Sequence, residues 1–197
     1  MEIQTLQVDG FGPSITAMRN PMDSWEKSDS IKGRVGEKDK ELSIKLQAAG
    51  PEHCKHLRMV VVWATINAPR YWWQEFDTYR TGVEKVSCST MHRLMARPLT
   101  EDDFEDDCQR SLISHIIADL NRCMELYKKA EDPDIKKVIW RGIIQALPQS
   151  YKQKRTVMMS YAALRNIYRQ RKGHKLKEWQ QFREWAESLP ESWMITE

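Results

Sequence analysis

Three stretches of the 197-residue chain carry side chains able to do chemistry. His53-Cys54-Lys55-His56 puts three possible metal ligands within four residues, and Cys88 with His92 could add more. Ligands this close seldom turn toward one ion, and the spacing matches no standard zinc arrangement, so the stretch reads as a polar loop lining a cavity or facing water. No metal site is expected. Ser87-Cys88-Ser89-Thr90 is a run of small nucleophiles, and Cys88 would act as a thiolate if a cation such as Lys85 lowered its pKa. The competing reading is an inert buried thiol beside hydroxyls that satisfy backbone groups.

The third stretch is basic. Between Lys152 and Lys177, residues such as Arg155, Arg165, Arg169, Arg171 and Lys172 interleave with Tyr161, Tyr168 and His174. This mixture binds phosphates and stacks on bases, and a solvated helix face has the same composition. Arg165, Arg169 and Lys172 share one helical stripe, expected to face solvent, whereas Asn166 and Arg171 point elsewhere, toward a pocket. The eight glycines are scattered and make no phosphate-cradling loop, which argues against a P-loop ATPase or a Rossmann dehydrogenase.

Elements must hold these groups in place. Ile3, Leu6 and Val8 predict a first strand closed by the turn residues 9–13, then a short helix over 14–20. Residues 24–40 are polar and predict a loop entering a helix over 38–49, stopped by Gly50-Pro51. The apolar run 59–66 predicts a central strand covered on both faces. Pro69 then favours a helix over 70–79 carrying Trp72, Trp73 and Phe76. The clearest helix is 101–129, with apolar residues at three- and four-residue intervals, a Thr100/Asp103 capping box and acid in its first turn from Glu101 to Asp107. Further helices are expected over 134–146, 161–171 and 176–188, with a strand over 156–159.

In bulk the chain is 41% hydrophobic and 30% charged, as for one soluble domain spanning 1–197, with no run long enough to cross a bilayer. Without a basic, apolar leader after Met1 a cytoplasmic location is expected, where four widely spaced cysteines are free thiols. A net charge of +3 does not by itself mark a nucleic-acid binder.

In order and spacing, three segments resemble the flavin-dependent thymidylate synthase (ThyX) family. Residues 41–80 keep a helix, a Gly turn near a Glu-His pair, a hydrophobic strand, an Ala-Pro junction and a helix ending at Arg80. Residues 81–92 follow where the family signature has its serine loop. LPQSYKQKRTVMMSYAALRNIYRQRKGHKLKEW is similar to the family's Leu-Pro turn, strand, Asn-rich helix and closing helix, with Leu164, Asn166, Arg171, His174 and Glu178 in register. Departures are as plain. The Arg-His-Arg of the family is Thr78-Tyr79-Arg80 here, its Asn-Glu pair is Lys85-Val86, its loop arginine is Thr90, and an Asn and an Arg of the third segment are Ser160 and Ala162. In the family these groups hold flavin phosphates and dUMP; Lys85, Arg93, Arg97 and Arg141 are the nearby cations that could replace them.

The resemblance implies an α+β fold, a mixed β-sheet flanked by helices as in thymidylate synthase-complementing proteins, in a homotetramer with sites built from several subunits. An exposed Trp72/Trp73/Trp140 surface would suit that assembly, though core packing explains the same residues. It implies a transferase that adds one carbon to a pyrimidine deoxynucleotide, dUMP or a related base, using FAD, with NADPH and methylenetetrahydrofolate as co-substrates. His53, His56, Tyr79, Asn166, His174 and Glu178 would lie near the flavin. Arg80 and Arg171 would hold the nucleotide, with Gln74 or Glu75 in place of a substrate-binding glutamine and Ser87, Cys88 and Ser89 lining the catalytic loop. The alternatives are a non-catalytic relative that binds a nucleotide or a nucleic-acid strand, and a helical nucleic-acid binder using the basic segment.

Overall fold

The chain begins with an edge strand, β1 (Glu2–Asp9), turned by Gly10 into helix α1 (Phe11–Arg19). Gly10 has φ +101°, and a Cβ there would stand 2.0 Å from the Met59 carbonyl oxygen, so only glycine makes this turn. The computed structural model describes residues 1–31, 34–105 and 110–197. After two short 3₁₀ turns come α2 (Glu37–Ala49), β2 (Val61–Pro69), α3 (Arg70–Phe76), β3 (Val83–Ser87) and the single turn α4 (Thr90–Arg93). Then follow α5 (Arg110–Lys129), α6 (Pro133–Ala146), β4 (Lys152–Ser160), α7 (Tyr161–Gln170), α8 (Lys177–Glu187) and α9 (Trp193–Thr196).

The strands form one sheet in the order β1-β2-β4-β3. It is antiparallel: Val60 meets Tyr161, Thr65 meets Thr156 and Arg70 meets Tyr151, one strand descending as the other climbs. The same holds for β3 against β4, where Gly82 accepts from Ser160 and Cys88 donates to Lys154. The expected α+β class, helices around a sheet, is what the chain adopts.

Two compact units share the chain, one of residues 1, 67–76 and 87–155, the other of 2–66, 77–86 and 156–197. In the second, Val60 just before β2 and the β2 residues Val62, Ala64 and Ile66 are fully buried and Tyr161, Leu164 and Ile167 of α7 join their core, while Val61, Trp63 and Thr65 between them are partly open. The strand expected to be covered on both faces is therefore covered fully on one. An apolar run satisfies either arrangement, and periodicity could not choose. Arg19, itself 5% exposed, pairs at 2.6 Å with the fully buried Asp39, which also accepts from Ser28 and Ser30. Those hydrogen bonds offset the cost of burying Asp39 and hold its carboxyl below the usual range, and they pin Ser28 and Ser30 in a stretch that composition reads only as loop.

In the first unit, α5 and α6 pack as a hairpin through Leu120, Met124 and Ile143. Trp72 and Trp73 are 0% and 1% exposed, and Trp140 is half-buried, which corrects the expected tryptophan surface. Trp72 stacks on Phe76 at 4.9 Å, and Trp73 donates its indole N–H to the Gln153 carbonyl at 2.8 Å, so both rings are core. Thr100 and Asp103 do form the capping box, but on a separate 3₁₀ turn, Glu101–Asp103. The described part of the long helix starts at Arg110; residues 106–109, with Asp106, Asp107 and Cys108, lie outside the described residues. No described helix is long and apolar enough to cross a membrane.

Candidate functional site

Helix α7 starts where the buried strand β4 ends, and its N-terminus opens onto a cleft of about 680 Å3 in the second unit, a size suited to a small-molecule ligand. Ser160 caps the helix, its hydroxyl accepting from the Ala163 N–H at 3.2 Å. Gly82, at φ +70°, lies against that cap so closely that a Cβ would come within 2.5 Å of the Ser160 Oγ. One wall is thus backbone and small side chains, Gly82, Ala162 and Ala163, and the wall across carries Ala48 and Gly50. Atoms of a ligand can approach the main chain here, and the helix dipole favours a negative one.

Charge agrees with shape. Arg58, Arg165 and Arg169 line the cleft, and among the described residues no aspartate or glutamate does. Arg165 is half-buried; burial first, and then the Arg169 charge, pull its pKa below the usual arginine value. Cys54 is buried in the same lining, and its thiol donates to the Gly50 carbonyl at 3.2 Å. Burial raises that thiol's pKa despite the two arginines, so Cys54 is a thiol, not a thiolate, at neutral pH.

Beside this, also in the second unit, Arg171 donates through Nε to the Tyr79 hydroxyl at 2.8 Å, and that hydroxyl donates to Gln170 at 3.1 Å. The guanidinium stacks 4.3 Å over Trp179, whose ring also meets those of Tyr79 and His174 edge-on. His174 accepts from the Leu176 N–H through Nδ1, which leaves the proton of the neutral ring on Nε2. Glu178, 1% exposed, lies in the first turn of α8. Four residues expected from the sequence, Tyr79, Arg171, His174 and Glu178, therefore lie on or beside one aromatic platform, around Trp179.

Over its whole length the chain matches the crystal structure of flavin-dependent thymidylate synthase ThyX from Helicobacter pylori complexed with FAD and dUMP, with a TM-score of 0.76 at 20% identity, covering 100% of this chain and 98% of that one. A second structure of the Helicobacter pylori ThyX with FAD and dUMP gives a TM-score of 0.77 at the same identity and coverage. The fold is that of ThyX. No family model and no curated protein matches the sequence.

On this ThyX fold the other expected residues divide. Asn166 lines the cleft, and its Oδ1 accepts from Gln170 at 3.0 Å. Arg80 is exposed and immediately precedes the cleft residues Thr81 and Gly82. His53 is exposed beside Glu52, whereas His56 is buried with Nε2 2.8 Å from the Ser43 hydroxyl, and burial drives its pKa down to about 4. Among the described residues no three His, Cys, Asp or Glu side chains gather as metal ligands.

In the first unit Gln74 is exposed and Glu75 half-buried on α3. Ser87 ends β3, Cys88 is exposed with its N–H given to Lys154, and Ser89 caps α4 by accepting from the His92 N–H. Lys85, suggested as an activator of Cys88, instead pairs with Asp77 at 2.8 Å.

The replacement cations expected from the sequence are not those of the cleft. Arg97 forks onto Asp103, Arg93 lines a separate hollow of the first unit, and Arg141 is exposed on α6. Arg165 and Arg169, assigned to solvent on the helical stripe, line the cleft. The stripe was correct as a face of α7, but the segment that folds over that face, residues 47–58, leaves no periodic trace in sequence.

Proposed function

We propose that the chain works as one ThyX-like domain: a flavin-dependent transferase that adds a one-carbon unit to a pyrimidine deoxynucleotide, dUMP to dTMP or a related base modification. The observation that carries this is the arginine-lined cleft at the α7 N-terminus of a full-length ThyX fold, since the two ThyX structures are complexes with FAD and dUMP. The residues present fit an elongated phosphate-bearing cofactor: the cleft is roomy, cationic, lined among the described residues by no aspartate or glutamate side chain, and bordered by glycines and alanines where a backbone approach is needed. When bound, reduced FAD supplies the hydride, with NADPH as reductant and methylenetetrahydrofolate as carbon donor.

The protein's share is binding, orientation and exclusion of water. Asn166 offers an amide to the flavin's polar edge, and Tyr79, His174 and Glu178 support it from the Trp179 platform. Arg171 is held flat by Tyr79 and Trp179, so its guanidinium enters a complex with its rotamer already fixed, which saves ordering entropy for a phosphate or a base carbonyl. Arg80 serves the same anion. Assembly as a homotetramer belongs to the same reading.

A second reading, a non-catalytic nucleotide binder, is favoured by one observation: Lys85, where the resemblance places part of an Asn-Glu pair, is engaged with Asp77. Incubation of purified protein with dUMP, methylenetetrahydrofolate, NADPH and FAD separates the two. The transferase forms dTMP or a modified deoxyuridylate, and Arg171→Ala abolishes it. Bound dUMP without product supports the binder.

A further inference from the structure

We propose that Arg58, Arg165 and Arg169 form a phosphate clamp for the diphosphate of the flavin dinucleotide, at positions other than those where the resembling family carries its phosphate-binding arginines. The inference rests on the reading of the α7 cleft as a flavin site.

Arg165 and Arg169 are one helical turn apart, so both project from the same face of α7 into the cleft, and Arg58 enters from the segment across it. Like charges at this spacing repel, and among the described residues no aspartate or glutamate side chain lines the cleft; what the two helix arginines share is the main-chain oxygen of Glu197, to which both donate. Glu52, next to the cleft residue Pro51, lies 3.6 Å from His53. Arg165 is oriented by the Gln47 carbonyl at 3.4 Å. Three guanidinium forks spread over two walls suit an extended polyanion better than a single carboxylate, because each fork can take two oxygens of a phosphate. Ala162, where the family has an arginine, clears the space that the clamp would close around.

The test measures binding of FAD, riboflavin and inorganic pyrophosphate to the full-length protein and to Arg58→Ala, Arg169→Ala and Arg165→Ala. Thermal melting confirms folding, and Arg58 and Arg169, both exposed, carry the test if Arg165→Ala does not fold. The clamp predicts that each substitution weakens FAD by roughly tenfold or more and flattens its salt dependence, with riboflavin unchanged. Equal losses for FAD and riboflavin, or FAD binding indifferent to the arginines, overturn the clamp and leave the flavin reading standing. Arginine-dependent pyrophosphate binding without affinity for either flavin overturns the clamp as a flavin-diphosphate site, and the flavin reading with it. No binding of any phosphate-bearing probe overturns the clamp.

Discussion

Gly82 shows how narrowly single residues define the cleft. Its φ of +70° and the Ser160 hydroxyl 2.5 Å from where a Cβ would stand mean that Gly82→Ala must strain the backbone or displace the α7 cap. A loss of about 1–3 kcal/mol is expected in urea denaturation, together with weaker ligand binding. His56 gives a pH signature instead. Buried beside Ser43, it has a folded pKa of about 4 against 6.5 when free, so below about pH 6.5 the unfolded chain takes up a proton that the fold refuses. Stability is then full above that pH and falls as pH drops toward 4, by up to about 3 kcal/mol, in denaturant titrations across that range. His56→Leu flattens the profile; an unchanged slope would show that the ring titrates freely. Neither effect was legible in the sequence, where Gly82 is one residue of the 81–92 segment and His56 a possible ligand. What decides both is a neighbour far along the chain, Ser160 or Ser43. Asn166 shows the limit of helical spacing: it lines the cleft as an exposed residue, while Arg165, on the stripe expected to face solvent, is half-buried.

Among elements, periodicity worked where one face is buried and failed at edges. α6 could be read from Pro133 onward, and Asp132 caps it by accepting from the Asp134 and Ile135 N–H groups; Asp132→Ala should lower thermal stability by about 1 kcal/mol, measured by melting. β3 was missed because only Val83 of its five residues is buried, so its sequence alternates nothing hydrophobic. α3 was found, but whether its tryptophans form a surface or a core stayed open, since adjacent aromatic residues on one short helix fit a core or an interface equally. The structure makes that helix the anchor of its unit, with Arg155 stacked 4.3 Å over Trp73. Trp72→Ala should cost about 3–5 kcal/mol in chemical denaturation and leave the cleft residues' own contacts untouched; a loss under about 1 kcal/mol would mean that the cluster does not pack as described.

At the scale of the whole molecule, the order of three sequence segments pointed to a fold that the full-length match to ThyX now supports, at an identity of only 20%. Segment order survives such divergence because strand pairing and helix packing require apolar pattern, not particular charges. The charged groups are where the chain departs, and there the sequence misplaced the cations: of those it offered, Lys85 pairs with Asp77 and Arg97 with Asp103, Arg93 and Arg141 are absent from the cleft lining, and the arginines that line the cleft are residues 58, 165 and 169. The central claim is that this cleft holds a flavin. Its most direct test is the visible spectrum of the purified protein after incubation with FAD and removal of the excess. The account predicts a bound flavin band at about 450 nm that is weakened by Asn166→Ala. A protein that stays colourless and leaves FAD fluorescence unchanged would contradict it.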